Sequence, residues 1–139
     1  MTVAVAYDAK PEGRAAVEAA LEWAGLHETS VVVLHVEETG RAGTAGVAAT
    51  PAAVRAVETQ IETIAASRLG QPAPTWSVVS STAAGDVASI LLQLAAKSGA
   101  ELLVVGSRRR SEIGKFFLGR VAQRVLLDSP VPVLVVKTE

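Results

Sequence analysis

Residues 102–136 read LLVVGSRRRSEIGKFFLGRVAQRVLLDSPVPVLVV. A short apolar run, 102–105, stops at Gly106, and a basic loop punctuated by glycine follows. Phe117, Leu118, Val121 and Val125 then recur at helical spacing, which predicts a helix over about 115–127. The stretch closes on a second apolar run, 131–136. Strand, loop, helix, strand is the unit of an open α/β sheet. In such a sheet the loop between the carboxyl end of a strand and the amino end of a helix is where anionic ligands sit.

The rest of the chain repeats that unit. Residues 2–7 (TVAVAY) form a small-apolar strand with Asp8 at its end. Pro11 suits the first turn of a helix reaching about Leu26, with Ala16, Val17, Ala20, Leu21 and Ala24 as its apolar stripe. Residues 31–36 (VVVLHV) are β-branched and apolar on both faces. Residues 37–49 lack periodicity and hold three glycines, so a long loop is expected there. Thr50-Pro51 reads as an N-cap followed by proline at the first helical position, opening a helix to about Leu69. A third strand at 75–80 follows, then a helix opened by Gly85-Asp86 and closed by Gly99. Strands buried on both faces and alternating with helices predict an α/β fold: an open, doubly wound, five-stranded parallel sheet. Its simplest order is the flavodoxin-like 3-2-1-4-5, with helices on both faces. Residues 1–139 are expected to form a single domain.

Composition narrows the function classes. The absence of cysteine excludes a disulfide framework, a thiolate metal site and a cysteine nucleophile. The formal net charge of -1 argues against nucleic acid as a partner, and no aromatic residues interleave the basic run. The apolar runs are strand-length, short of the ~20 residues a membrane span requires. With a strand beginning at Thr2, no leader segment is expected, and the expected location is cytoplasmic. The charge is nevertheless uneven. Arg108, Arg109, Arg110, Lys115, Arg120 and Arg124 crowd together with Glu112 as the only acid among them.

Each candidate residue has a structural and a functional reading. Asp8 suits either a ligand hydrogen bond or an Asx turn. Gly106 and Gly119 suit either a phosphate cradle or ordinary turns. Arg108, Arg110 and Lys115 suit either anion contacts or a solvated loop. His35 inside an apolar strand reads as a core histidine, and with His27 alone elsewhere no metal cluster is expected. Ser80, Ser81 and Thr82 lie near a strand end with no histidine close in sequence to activate one of them. Gly114-Lys115 resembles part of a phosphate-binding P-loop, but Arg109 and Phe116 stand where glycine and a magnesium-holding hydroxyl are required. Neither paired carboxylates nor a nucleophile–base pair is visible, so a binding protein rather than an enzyme is expected.

The chain resembles the universal stress protein family over essentially its full length. The resemblance rests on the VAVAYD opening, VVVLHV, the GD before the third helix, LLVVGSRRRS and the closing SPVPVLVVK. It implies the fold above, a homodimer, and, in one branch of the family, ATP with magnesium. That branch carries glycine, two residues, glycine, nine residues, glycine, then serine or threonine. Gly106 and Gly119 match the first and third glycines, whereas Arg109 replaces the second and Arg120 replaces the hydroxyl residue. The resemblance also assigns Asp8 and Val36 to the adenosine. Arginine binds phosphate by a bidentate fork, so the two changes need not abolish anion binding, but they depart from the geometry of the motif.

The final run is expected to be a sheet edge. Val131, Val133, Leu134 and Val135 make it apolar, and Pro130 and Pro132 suit an edge. A two-fold partner pairing this strand would cover it. The reading is therefore a homodimeric regulatory domain that binds an adenine nucleotide or another phosphate-bearing anion beside strands one and four. Two alternatives stand: a protein-interaction module without nucleotide, meeting a regulatory protein through its arginine loop, and a slow ATPase.

Overall fold

The computed structural model describes residues 2–38, 49–68, 71, 73–110, 115–117 and 119–138. Ten elements follow one another: β1 (Thr2–Ala6), α1 (Pro11–Leu26), β2 (Ser30–Glu38), α2 (Pro51–Ala66), β3 (Trp76–Ala83), α3 (Val87–Ser98), β4 (Leu102–Arg110), β5 (Lys115–Phe117), α4 (Arg120–Asp128) and β6 (Val133–Thr138). Five strands are parallel, in the order β3-β2-β1-β4-β6, which is the expected 3-2-1-4-5 arrangement. The short β5 is the addition: it runs antiparallel to the end of β4, with Arg109 opposite Phe116.

Alternation along the strands sorts side chains onto two faces. Val3, Val5, Val31, Val33 and Val104 pack under α1 and α2. Ala4, Val32, Leu34, Leu103 and Val105 face α3 and α4. Full burial of a Val or Leu side chain contributes about 1.5–3 kcal/mol each, so these two layers dominate the stability. Local chemistry sets the helix ends. Thr50 Oγ1 accepts from Ala53 N–H at 3.2 Å, and Asp86 Oδ1 accepts from Ser89 N–H at 3.2 Å. Gly99 closes α3 at φ 68°, a left-handed conformation that favours glycine.

Several boundaries differ from the sequence expectation. β4 continues past Gly106 to Arg110, where a loop was expected, and 115–117 form β5 rather than helix. Phe116 and Phe117 favour extended backbone, and the antiparallel pairing with β4 supplies that conformation with a partner strand. α4 consequently starts at Arg120, five residues later than expected. The later start changes which residues point inward. Ala122 and Val125 are buried, whereas Val121 is 38% exposed. β2 extends through Glu38 and β3 through Ala83, α2 ends at Ala66, and β6 begins at Val133 rather than Val131. Trp23 stacks on His27 at the end of α1, ring centroids 4.1 Å apart. The expected contributions of Leu69, Gly70, Pro72, Leu118 and most of the 37–49 loop lie outside the described residues. So do those of the Phe117, Arg109, Arg110 and Lys115 side chains.

Candidate functional site

The carboxyl ends of β1, β2 and β4 and the amino ends of α1 and α4 border one cleft of about 520 Å3. Val36, Val87, Leu91, Val105 and Val125 supply its apolar lining. Asp8, Lys10, Glu12, Arg108 and Arg120 supply its charge, and Gly106 and Gly119 border it. Asp8, Val36, Gly106, Gly119 and Arg120, scattered over 113 residues from 8 to 120, are thus brought together, with Arg108 beside them. The volume lies in the range that holds a cofactor-sized molecule.

The β1–α1 turn is tightly specified. Lys10 N–H donates to Asp8 Oδ1 at 3.2 Å, an Asx turn, and Ala9 adopts φ 63° to reverse the chain. α1 then crosses β4 so closely that a Cβ on Gly106 would overlap the Glu12 carbonyl oxygen. A Cβ on Gly13 would likewise overlap the Asp8 carboxylate. Gly106 is therefore required by helix-on-sheet packing, whatever ligand it also faces. Gly13 escaped the sequence reading, because a glycine in the first turn of a helix signals nothing until the crossing is known.

Gly119 is different. Its φ of -59° is open to any residue, and a Cβ there would meet nothing within 4 Å. It stands at the N-cap of α4 with no side-chain cap. The first amides of α4 have no acceptor one turn earlier within the helix. Their dipoles favour an anion at this border of the cleft.

Of the basic residues noted in the sequence, Arg124 is committed elsewhere. Its Nε donates to Asp128 Oδ2 at 3.1 Å, Nη1 to Asp86 Oδ1 at 3.3 Å and Nη2 to Ser89 Oγ at 3.0 Å. It fastens α4 to the start of α3. The Ser89 hydroxyl and amide hold the Asp86 carboxyl below its ordinary range, and Arg124 adds to the effect.

One pairing was invisible in the sequence. The register of β2 on β3 sets His35 opposite Ser80, and His35 Nδ1 lies 2.9 Å from Ser80 Oγ in a hydrogen bond. The sequence had offered these hydroxyls no histidine. The pair does not border the cleft, and Ser80 is only 7% exposed, so it serves the interior of the sheet. Burial holds the His35 pKa below its ordinary value, against the opposing pull of Glu37 and Asp8. Nearby, Tyr7 hydroxyl donates to Gln60 Oε1, and burial raises the Tyr7 pKa.

Glu12 Oε2 is buried without a hydrogen-bond partner, at a residue that lines the cleft. A cation or hydroxyl arriving with a ligand would suit such an oxygen. Asp8 and Glu12 are the cleft's carboxylates, a number that suits magnesium bound mainly through phosphate oxygens. Among the described residues no group of three or more His, Cys, Asp or Glu could hold a metal ion by itself. No helix among them is long and apolar enough to cross a membrane.

The profile of the universal stress protein family matches residues 1–137. A universal stress protein of Mycolicibacterium smegmatis is 36% identical over 136 residues, 97% of this chain and 96% of that one. The structure of a universal stress protein from Archaeoglobus fulgidus superposes with a TM-score of 0.71 at 22% identity, covering 99% of this chain and 98% of that one. A universal stress protein from Archaeoglobus fulgidus in complex with dAMP superposes with a TM-score of 0.66 at 18% identity, covering 99% and 98%. The structural likenesses carry the fold, and the family match with the 36% identical relative carries the membership. This chain belongs to the universal stress protein family.

Proposed function

We propose that this protein is a stress-response regulatory domain whose cleft binds an adenine nucleotide, or another phosphate-bearing anion, and that it acts by binding rather than by turnover. The observation that carries the reading is the convergence of Asp8, Val36, Gly106, Gly119 and Arg120 on one cleft beside the uncapped start of α4. The apolar lining suits a base. The cations and helix amides suit phosphates. The dAMP complex of a structurally similar family member supports the same ligand class. Asp8 and Val36 would meet the adenosine, and Gly119, Arg120 and Arg108 the phosphates. Arg109, Arg110 and Lys115 lie on β4 and β5 close by in the chain and complete the proposed anion-binding set. Magnesium would enter with ATP.

Calorimetric titration of nucleotide-stripped protein with ATP and magnesium tests this. Saturable heat is expected. Its absence at millimolar ATP, with no thermal stabilisation, would overturn the reading. Phosphate release above background, lost in Asp8→Ala, would instead establish a slow ATPase.

A second reading has its own observation. Gly106 is accounted for by the α1 crossing and Asp8 by its turn, so the cleft can exist without a nucleotide. In that case the arginine-rich β4–β5 hairpin would meet a regulatory protein in the cytoplasm.

The proposed assembly is a homodimer through β6. Among the described residues β6 pairs only with β4, and Val133, Leu134 and Val135 are part-exposed; Val131 is as well, just before the strand. Such an edge invites pairing, and a two-fold partner closes it. Sedimentation should give a dimer for the natural chain and a monomer for Val135→Glu. A monomer at tens of micromolar natural protein would contradict the assignment.

A further inference from the structure

From the structure we infer that Lys10 is a phosphate-binding residue of the cleft, held at a helix position that its own chemistry disfavours. The inference rests on the nucleotide reading above and adds to it a residue outside the glycine motif.

Lys10 is the N-cap of α1: its φ and ψ are extended, its carbonyl accepts from Arg14 N–H at 3.0 Å, and it makes no side-chain cap. Ser, Thr, Asp or Asn is favoured at that position, because the side chain can accept from a free amide. Lysine cannot accept. Its positive charge also lies against the positive end of the helix dipole. The other caps of this chain follow the ordinary rule, with Thr50 on α2 and Asp86 on α3 both accepting an amide. Three helix starts border the cleft; α3 is capped there by Asp86, whereas α1 and α4 have no side-chain cap. A local rule broken at a ligand-sized cavity marks a residue kept there for another purpose.

The charge pattern says what that purpose is. Lys10, Arg108 and Arg120 come from the β1–α1 turn, the end of β4 and the start of α4, and all three line the cleft. None of the three makes an ion pair with a described residue, although Arg124, just beyond them, makes two. Asp8 and Glu12 line the same cleft, yet neither is paired with these cations. Asp8 Oδ1 is occupied by the Lys10 amide, and Glu12 Oε2 is buried without a partner. Cations and carboxylates kept apart in one cleft match a ligand that carries both anionic oxygens and hydroxyls or a bound cation. A nucleoside polyphosphate is that ligand. Lys10 would then act on the phosphates, and its contribution would grow from adenosine through AMP to ATP.

The test is titration of ATP, AMP, adenosine and inorganic tripolyphosphate into the natural protein, Lys10→Gln and Lys10→Asn, with melting curves of each. Lys10→Gln removes only the charge. Lys10→Asn removes the charge and installs a cap. Loss of a charge-assisted contact should weaken ATP about tenfold or more in both variants, and leave adenosine unchanged. Lys10→Asn should at the same time melt roughly 2–5 °C higher than the natural protein. Tighter fold with weaker polyphosphate binding is a pair of results that a purely structural lysine would not give. ATP binding unchanged in Lys10→Gln would overturn the assignment while leaving the nucleotide reading intact. An equal loss for adenosine and ATP would also overturn it, because the effect would then be on the shape of the cleft. If the natural protein bound neither ATP nor tripolyphosphate, the nucleotide reading would fail first, and this assignment with it.

Discussion

Gly106 and Gly119 border the same cleft and are glycine for different reasons. At Gly106 the backbone of α1 occupies the space a side chain would need. At Gly119 the space is empty and the backbone angle ordinary. The first glycine belongs to the fold. The second leaves open the start of a helix whose first residues line the cleft. A glycine motif read along a chain merges these two roles, and only the crossing of α1 over β4 separates them.

The sharpest break in that comparison is alanine at both positions. Gly106→Ala forces a methyl group onto a peptide carbonyl that cannot rotate away, and should destabilise by about 3 kcal/mol. Gly119→Ala should lose only about 0.5–1 kcal/mol, the ordinary advantage of glycine over alanine at an N-cap. Urea denaturation of both variants measures the gap. Equal losses would mean that the α1 crossing does not constrain Gly106.

Gly13→Ala sharpens the same point at smaller size. The added carbon would meet the Asp8 carboxylate, a movable group, and the Asp8 amide at 3.0 Å. A loss of about 1–2 kcal/mol is expected, with ATP binding weakened further because Asp8 must shift. A stability loss with no change in ATP affinity would remove Asp8 from the proposed site. Thr50→Ala, remote from the cleft, should lose about 1 kcal/mol through its cap alone and leave ligand binding untouched.

The smallest effect expected is one of pH. Burial keeps the folded-state His35 pKa below the ordinary 6.5, so the unfolded chain takes up this proton first as pH falls. Stability from this group is full above that value and declines as pH drops toward the folded-state pKa. His35→Gln should flatten the slope of stability against pH in that window. An unchanged slope would show that His35 is not the group responsible.

The parallel sheet and its order were legible because the signals are redundant. Runs such as VVVLHV and LLVV are apolar on both faces, and Thr50-Pro51 and Gly99 mark helix ends by local chemistry alone. The region after Gly106 was misread for a physical reason. Phe117, Val121 and Val125 keep helical spacing by accident of sequence, whereas β4 pairing decides the conformation of 115–117. Periodicity cannot weigh a strand partner five or more residues away. The site was legible in part on the same grounds. Asp8 and Gly119 stand at element ends, where sequence cues are strong, and Gly106, though inside β4, was marked by its place in the glycine spacing. Lys10, Glu12 and Gly13 sit in an unremarkable first turn and acquire meaning only when α1 lies across β4. The His35–Ser80 bond depends on strand register, which no local pattern specifies.

The most direct test of the nucleotide-binding account is amide chemical-shift mapping of the 15N-labelled protein during ATP addition. Saturable shifts are predicted at Asp8, Lys10 and the first amides of α4, Arg120 to Ala122, with the surface at Trp23 and His27 silent. Shifts confined to other surfaces, or none at millimolar ATP, would contradict the assignment of this cleft as the functional centre.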